Sequence, residues 1–279
     1  MKVWKRTLPA WLLILVMLLT ACGTPSQSAQ PDSTEGWRKV FEETGAYLQA
    51  QAAPSVGSIG GEWAVIGLSR AGLLSDAAAQ SYEQAAEDYV KQAGSVRLHH
   101  AKSTENSRTI LGLTAAGYDA ANVAGVDLTA GLTDMAYLRA QGTNGPIWAL
   151  IALDCHGYDI PQCADGEEQV TREGLVAEIL SYQCSDGGWA LMGDESDVDM
   201  TAMALTALAP YKDDVEVKAA VDAALAYLSD AQQDDGGFMG WGTANSESCA
   251  QVIVALTELD VSLTDSRFVK SGNTLVSRL

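Results

Sequence analysis

The chain has 279 residues, enough for a sizeable core, and carries 36 acidic against 17 basic residues for a net charge of −19. An acidity of that size repels polyanions, which removes nucleic acid from the partners to consider. Three histidines leave few candidates for imidazole catalysis, and no nucleotide-binding glycine fingerprint, G-x-S-x-G or H-E-x-x-H spacing occurs.

Lys2, Lys5 and Arg6 precede an apolar run from Leu8 to Thr20 that ends in Leu19-Thr20-Ala21-Cys22. The run is shorter than the roughly 20 apolar residues of a spanning helix, so residues 1–21 read as a cleaved signal peptide. The segment resembles the lipobox of bacterial lipoproteins, in which the cysteine is acylated after export and becomes the new N-terminus. That resemblance implies lipidation at Cys22, a membrane anchor, and a place on the bacterial cell surface facing the extracytoplasmic side. Three basic residues leave with the signal peptide, so 14 remain against 36 acids, a mature net charge of −22. Residues 22–35 are rich in Ser, Thr, Pro, Gln and Ala without an apolar period and read as a flexible tether, able to reach about 45 Å when extended.

From residue 36 to 279 two kinds of helical segment alternate. Amphipathic segments are expected near 37–51, 77–94, 128–141, 171–183 and 216–232. In the last of these Val217, Ala220, Val221, Ala224, Leu225 and Leu228 share one face, as in a helix on an outer surface. Segments apolar nearly all round begin at Trp63, Thr109, Ile147, Met200 and Cys249, and such helices must be covered on most sides. Gly, Pro, Asn and Asp clusters such as Asp186-Gly-Gly188 and Asp234-Asp-Gly-Gly237 supply the turns, and no strand of useful length is expected. The count is five helix pairs plus the beginning of a sixth outer helix. The apolar end at Thr274-Leu-Val-Ser-Arg-Leu279 carries no stop signal, so the domain reads as truncated at its C-terminus.

Two turns carry a family likeness. Gln183-Cys-Ser-Asp-Gly-Gly-Trp189 fits the Q-x-x-x-G-x-W repeat of terpenoid cyclases, and Gln232-Gln-Asp-Asp-Gly-Gly-Phe238 fits it with Phe last. Residues 37–279 thereby resemble the terpenoid cyclase and protein prenyltransferase superfamily, in its form as surface proteins with squalene-cyclase-type repeats. The resemblance implies an α/α toroid, a double-walled helical barrel. Gln183, Gly187 and Trp189, with Gln232, Gly236 and Phe238, are then structural turn residues, the amide closing a helix end and the ring covering the turn. A shorter likeness, Asp199-Met-Thr-Ala-Met-Ala204, points to the helical domain of intrinsic factor and transcobalamin and makes a corrinoid a possible ligand.

Asp194-Glu-Ser-Asp-Val-Asp-Met200 is similar to the D-x-D-D acid motif of class II cyclases, with Asp197 and Asp199 as the catalytic alternative. Its fourth position is Met200, and the inner segments hold only Trp63 and Trp148 as aromatics to shelter a cation. Ser196 to Asp199 also has the spacing of a capping box, and capping is the preferred reading. The Asp, Cys and His set of a prenyltransferase zinc site is absent, and the same acids lack the glycine and final glutamate of an EF-hand. No cofactor or metal is expected, and binding of a small molecule, a polymer end or a partner protein without catalysis is the favoured function, with a purely structural interaction module as a further alternative. Trp63, Asn144, Trp148, Trp189, Asp199, Trp241, Asn245 and Glu247 are the candidate lining residues at the mouth of the barrel. Cys155 and Cys163 are the one cysteine pair close in sequence and the candidate disulfide.

Overall fold

The computed structural model of the chain describes residues 33–51, 54–57, 60–240 and 242–278. Cys22, the expected leader, most of the expected tether and Trp241 lie outside the described residues. Among those described are ten α-helices: α1 (Ser33–Gln49), α2 (Glu62–Arg70), α3 (Asp76–Ala93), α4 (Thr104–Ala116), α5 (Met135–Arg139), α6 (Asn144–Asp154), α7 (Arg172–Ser181), α8 (Val198–Leu208), α9 (Val215–Ala231) and α10 (Ser246–Glu258). A small antiparallel hairpin, β1 (Phe238–Gly240) with β2 (Thr243–Asn245), is the one sheet among them. The protein is all-α. Residues 33–35, read as the end of the tether, already belong to α1.

The segments apolar on all sides form α2, α4, α6, α8 and α10, and each packs on the next in chain order. Ile110, Leu113, Ile147, Leu150, Leu153, Leu205, Leu208, Val252 and Leu256 are buried between them, each such side chain contributing roughly 1.5 to 3 kcal/mol of transfer free energy. The row is parallel. Gln141, just before α6, accepts hydrogen bonds from Ser103 Oγ and Thr104 N at the start of α4, while Tyr158, just after α6, meets Thr114 Oγ1 near the end of α4 at 2.8 Å. Ser69 Oγ of α2 donates to Ala115 O of α4, and Tyr211 beyond α8 donates to Asp154 Oδ2 of α6. Small residues set the spacing: a Cβ at Gly145 would lie 2.0 Å from Leu138 O, and one at Gly112 2.4 Å from the Tyr82 hydroxyl.

The amphipathic helices cover this row, with α1 on α2, α3 on α4, α5 and α7 on α6, and α9 on α8. In α9 the buried residues are the six expected from the periodicity. One outer segment departs from expectation, because residues 128–141 do not form one helix. They divide into a 3-10 turn, Thr129–Leu132, and α5. At the break Asp134 is extended and caps α5 by accepting from Ala136 N, while Met135 N donates to Glu168 O and Val170 N donates to Thr133 O. Those two bonds to the segment before α7 replace bonds a continuous helix would have made internally.

The two turn motifs have the same geometry. Gln183 Nε2 donates to Gly187 O at 2.8 Å and to Ala220 O of α9 at 2.9 Å, and Gln232 Nε2 donates to Gly236 O at 2.9 Å and to Phe268 O at 3.1 Å. Gly187 and Gly236 have φ of 93° and 85°, and a Cβ would lie 2.9 Å from Ala223 O in the first case and 2.5 Å from Thr274 O in the second. Residues 268–274 therefore stand to the second motif as residues 220–223 of α9 stand to the first. That is the position of the expected sixth outer helix, but the segment consists of 3-10 turns, Ser266–Phe268 and Leu275–Arg278, that bury Phe268 and Leu275. Ser271 and Gly272 both have positive φ, and Lys270 bridges to Asn273, a reversal that a helix cannot contain.

Candidate ligand surface at the N-terminal ends of the inner helices

Trp63 is the second residue of α2 and Trp148 the fifth of α6, and the structure brings these two predicted lining residues together. Their rings meet edge to face, 5.3 Å between centroids and 60° between planes, a geometry that aromatic quadrupoles favour. Trp63 remains 44% exposed and Trp148 is half-buried. Asn144 and Asp199, at the starts of α6 and α8, are half-buried, and Glu247 is exposed in the first turn of α10.

Two other predicted lining residues serve the fold instead. Trp189 is fully buried and donates its indole N–H to Ile179 O at 2.7 Å. Asn245 caps α10, its Oδ1 accepting from Ser248 N at 2.7 Å, and Trp241 lies outside the described residues. Phe238, Asn245 and Arg278 border a cavity of about 120 Å³, and a second of about 150 Å³ lies between Leu48, Leu68 and Leu73.

The acids before α8 have separate jobs. Asp197 is the N-cap, accepting from Met200 N at 2.8 Å. The cap is thus one residue later than the box read from Ser196, whose hydroxyl donates to Asp186 Oδ1 at 2.6 Å. Burial, with the charge of Asp199 adding to it, pushes the Asp197 carboxyl above the ordinary aspartate value, although its backbone hydrogen bonds oppose the shift. Asp199 Oδ1 is buried without a hydrogen-bond partner. Ser248 Oγ of α10 is in the same condition.

A buried polar cluster between α2, α3 and α4 was not anticipated. Glu62 is fully buried, accepts from Gly57 N at 2.8 Å, and pairs with Arg108 Nε at 3.2 Å without the alignment of a hydrogen bond. Arg108 also reaches Glu105 at 2.6 Å, and the Tyr82 hydroxyl beside them has no partner. Burial, then the charge of Glu62, pushes the Tyr82 phenol far above its ordinary value. The signal in the sequence was an acid immediately before one apolar segment and a base immediately before the next, both of which fall inside the helices. A buried pair of this kind is costly to break but is weak as a source of net stability.

The candidate disulfide is not formed, because the four cysteines among the described residues are free. Cys155 Sγ donates to Ala152 O, and Cys163 Sγ donates to Glu167 O. Among the described residues no three acidic, histidine or cysteine side chains group as metal ligands would. No protein-family model, curated protein or solved structure matches the chain.

Proposed function

We propose that this is an exported surface protein, anchored through acylated Cys22, whose inner row curls into an α/α toroid and binds a ligand at its N-terminal mouth without catalysis. The observation that carries the reading is the Trp63–Trp148 contact. Helices α2 and α6 are separated in the row by α4, and a row that bends with both rings on its concave side favours their contact. Arg70 at the end of α2 lies 3.9 Å from Glu258 at the end of α10, which supports a bend large enough to bring the two ends of the row together. The concave side then presents a half-exposed tryptophan, Trp63, backed by Trp148.

Pockets that engulf a drug-sized molecule hold roughly 300 to 1,000 Å³, more than either cavity described above. A polymer end or a segment of a partner protein, laid across the mouth, suits this surface better than an enclosed small molecule. A corrinoid would need a second covering domain to be held tightly. Acid-initiated cyclisation is disfavoured by the commitment of Asp197 to capping.

A thermal-shift screen of cell-surface polymers and peptides tests the binding reading, since a ligand at 100 times its Kd adds roughly 2.7 kcal/mol of stability. The expected result is a shift that Trp63→Ala abolishes, measured against that variant's own unliganded melt. Reproducible turnover of a squalene-like substrate that Asp199→Asn removes would overturn the reading. For the anchor, Cys22→Ser should release the chain from the membrane fraction or leave an unprocessed precursor, and unchanged fractionation would refute it.

A further inference from the structure

We infer that α1 lies in the membrane interface, with Trp37, Val40 and Phe41 turned into the boundary between headgroups and acyl chains. The inference rests on the lipid-anchor reading for its geometry. In α1 the apolar residues Trp37, Val40, Phe41 and Leu48 recur at i, i+3, i+4 and i+11, one face of a helix. In a helix of the outer layer that face should be buried, yet Trp37 is 41%, Val40 52% and Phe41 50% exposed. Every residue from Trp37 to Thr44 is exposed, and burial begins only at Gly45, where a Cβ would lie 2.5 Å from Leu73 Cδ1. Further contact with the body is made by Gln49, whose amide donates to Leu73 O. The body therefore holds the C-terminal half of α1 and leaves the N-terminal half uncovered.

The uncovered half is the half nearest the anchor. Ten residues separate Cys22 from Ser33, a span of at most about 40 Å, so acylation confines α1 to the neighbourhood of a bilayer and raises its effective concentration there. Its chemistry suits that place. Tryptophan and tyrosine favour the interface, and Trp37 and Tyr47 both face solvent here. Arg38 and Lys39 offset two of the three acids of α1, Glu35, Glu42 and Glu43, and leave the helix at −1, so it meets far less of the repulsion that an anionic headgroup layer exerts on the rest of a strongly acidic molecule.

The test uses the unacylated chain begun at Gly23, which contains every described residue, mixed with phosphatidylcholine vesicles carrying brominated lipid. We expect quenching of a share of the tryptophan emission that Trp37→Phe removes, and a partition coefficient roughly tenfold lower for Phe41→Asp. The melt of Phe41→Asp should stay cooperative and fall only slightly, because Phe41 is half exposed, and added phosphatidylglycerol should lower partition through the acidity of the rest of the molecule. Absence of quenching, or quenching unchanged by Trp37→Phe, overturns the inference. Self-association in light scattering that Phe41→Asp dissolves, without quenching, also overturns it and assigns the face to a second copy of the chain. Since this chain lacks Cys22, the outcome is independent of the Cys22→Ser fractionation, and the two ideas can fail separately.

Discussion

Asp197 shows how closely a single residue can be read and where the reading stops. Ser196, Asp197 and Asp199 before an apolar segment announce a helix start, but three capping types within four residues cannot say which one turns extended. The backbone decides, because Asp197 pairs with Trp189 in an isolated bridge that holds it in the extended conformation a cap requires. Its raised pKa has a definite sign. The folded state holds the proton more tightly than the unfolded chain, so this group favours folding most below its ordinary value of 3.8, and the benefit is lost as pH rises through the higher folded value. Asp197→Asn should keep the cap and drop the penalty, melting at or above the parent at pH 7, whereas Asp197→Ala should lose about 0.5 to 2 kcal/mol. Thermal melts at pH 7 and pH 4 check both, and a lower melt for the asparagine variant would contradict the assignment. The Glu62–Arg108 pair was missed for a different reason. Pattern reading trims charged residues from the ends of apolar segments, and here two of them belong inside.

At the level of the element, alternation of apolar and amphipathic segments located all five inner helices and the buried face of α9, because periodicity reports burial directly. It failed where tertiary hydrogen bonds outbid local ones, at Asp134 and Met135, and where a reversal at Ser271 and Gly272 replaced a helix. The turn motifs were recognised as structural, but their reach was not visible in sequence. Each glutamine ties its own turn to the next repeat, through Ala220 in one case and Phe268 in the other. Replacing Gln183 or Gln232 by Leu leaves two backbone acceptors without their donor, so each variant should lose roughly 1 to 3 kcal/mol. Calorimetry on the two variants tests the equivalence, and a loss at only one position would show that the C-terminal turns do not substitute for an outer helix.

For the whole molecule, charge is the quantity that sequence fixes without any structure. A net −19 on the chain repels itself across the surface, and the repulsion weakens once the screening length falls to about 8 Å at physiological ionic strength. The melting temperature should therefore rise as salt is increased from about 0.01 M to about 0.15 M. A flat response in scanning calorimetry would mean that surface ion pairs such as Arg139 with Glu168 and Glu178 already neutralise the effect locally. The Arg70–Glu258 contact is too exposed to contribute much, and its value here is as a marker of where the two ends of the row approach.

The chain-order row also governs how the protein is made. Each inner helix rests on its sequence neighbours, so a helix pair can dock as soon as the one before it is in place, and assembly can run from the N-terminus while later residues are still being delivered. A polypeptide threaded through a narrow channel emerges in that order. The Arg70–Glu258 approach joins residues far apart in sequence, so it can form only after the whole row between them is in place.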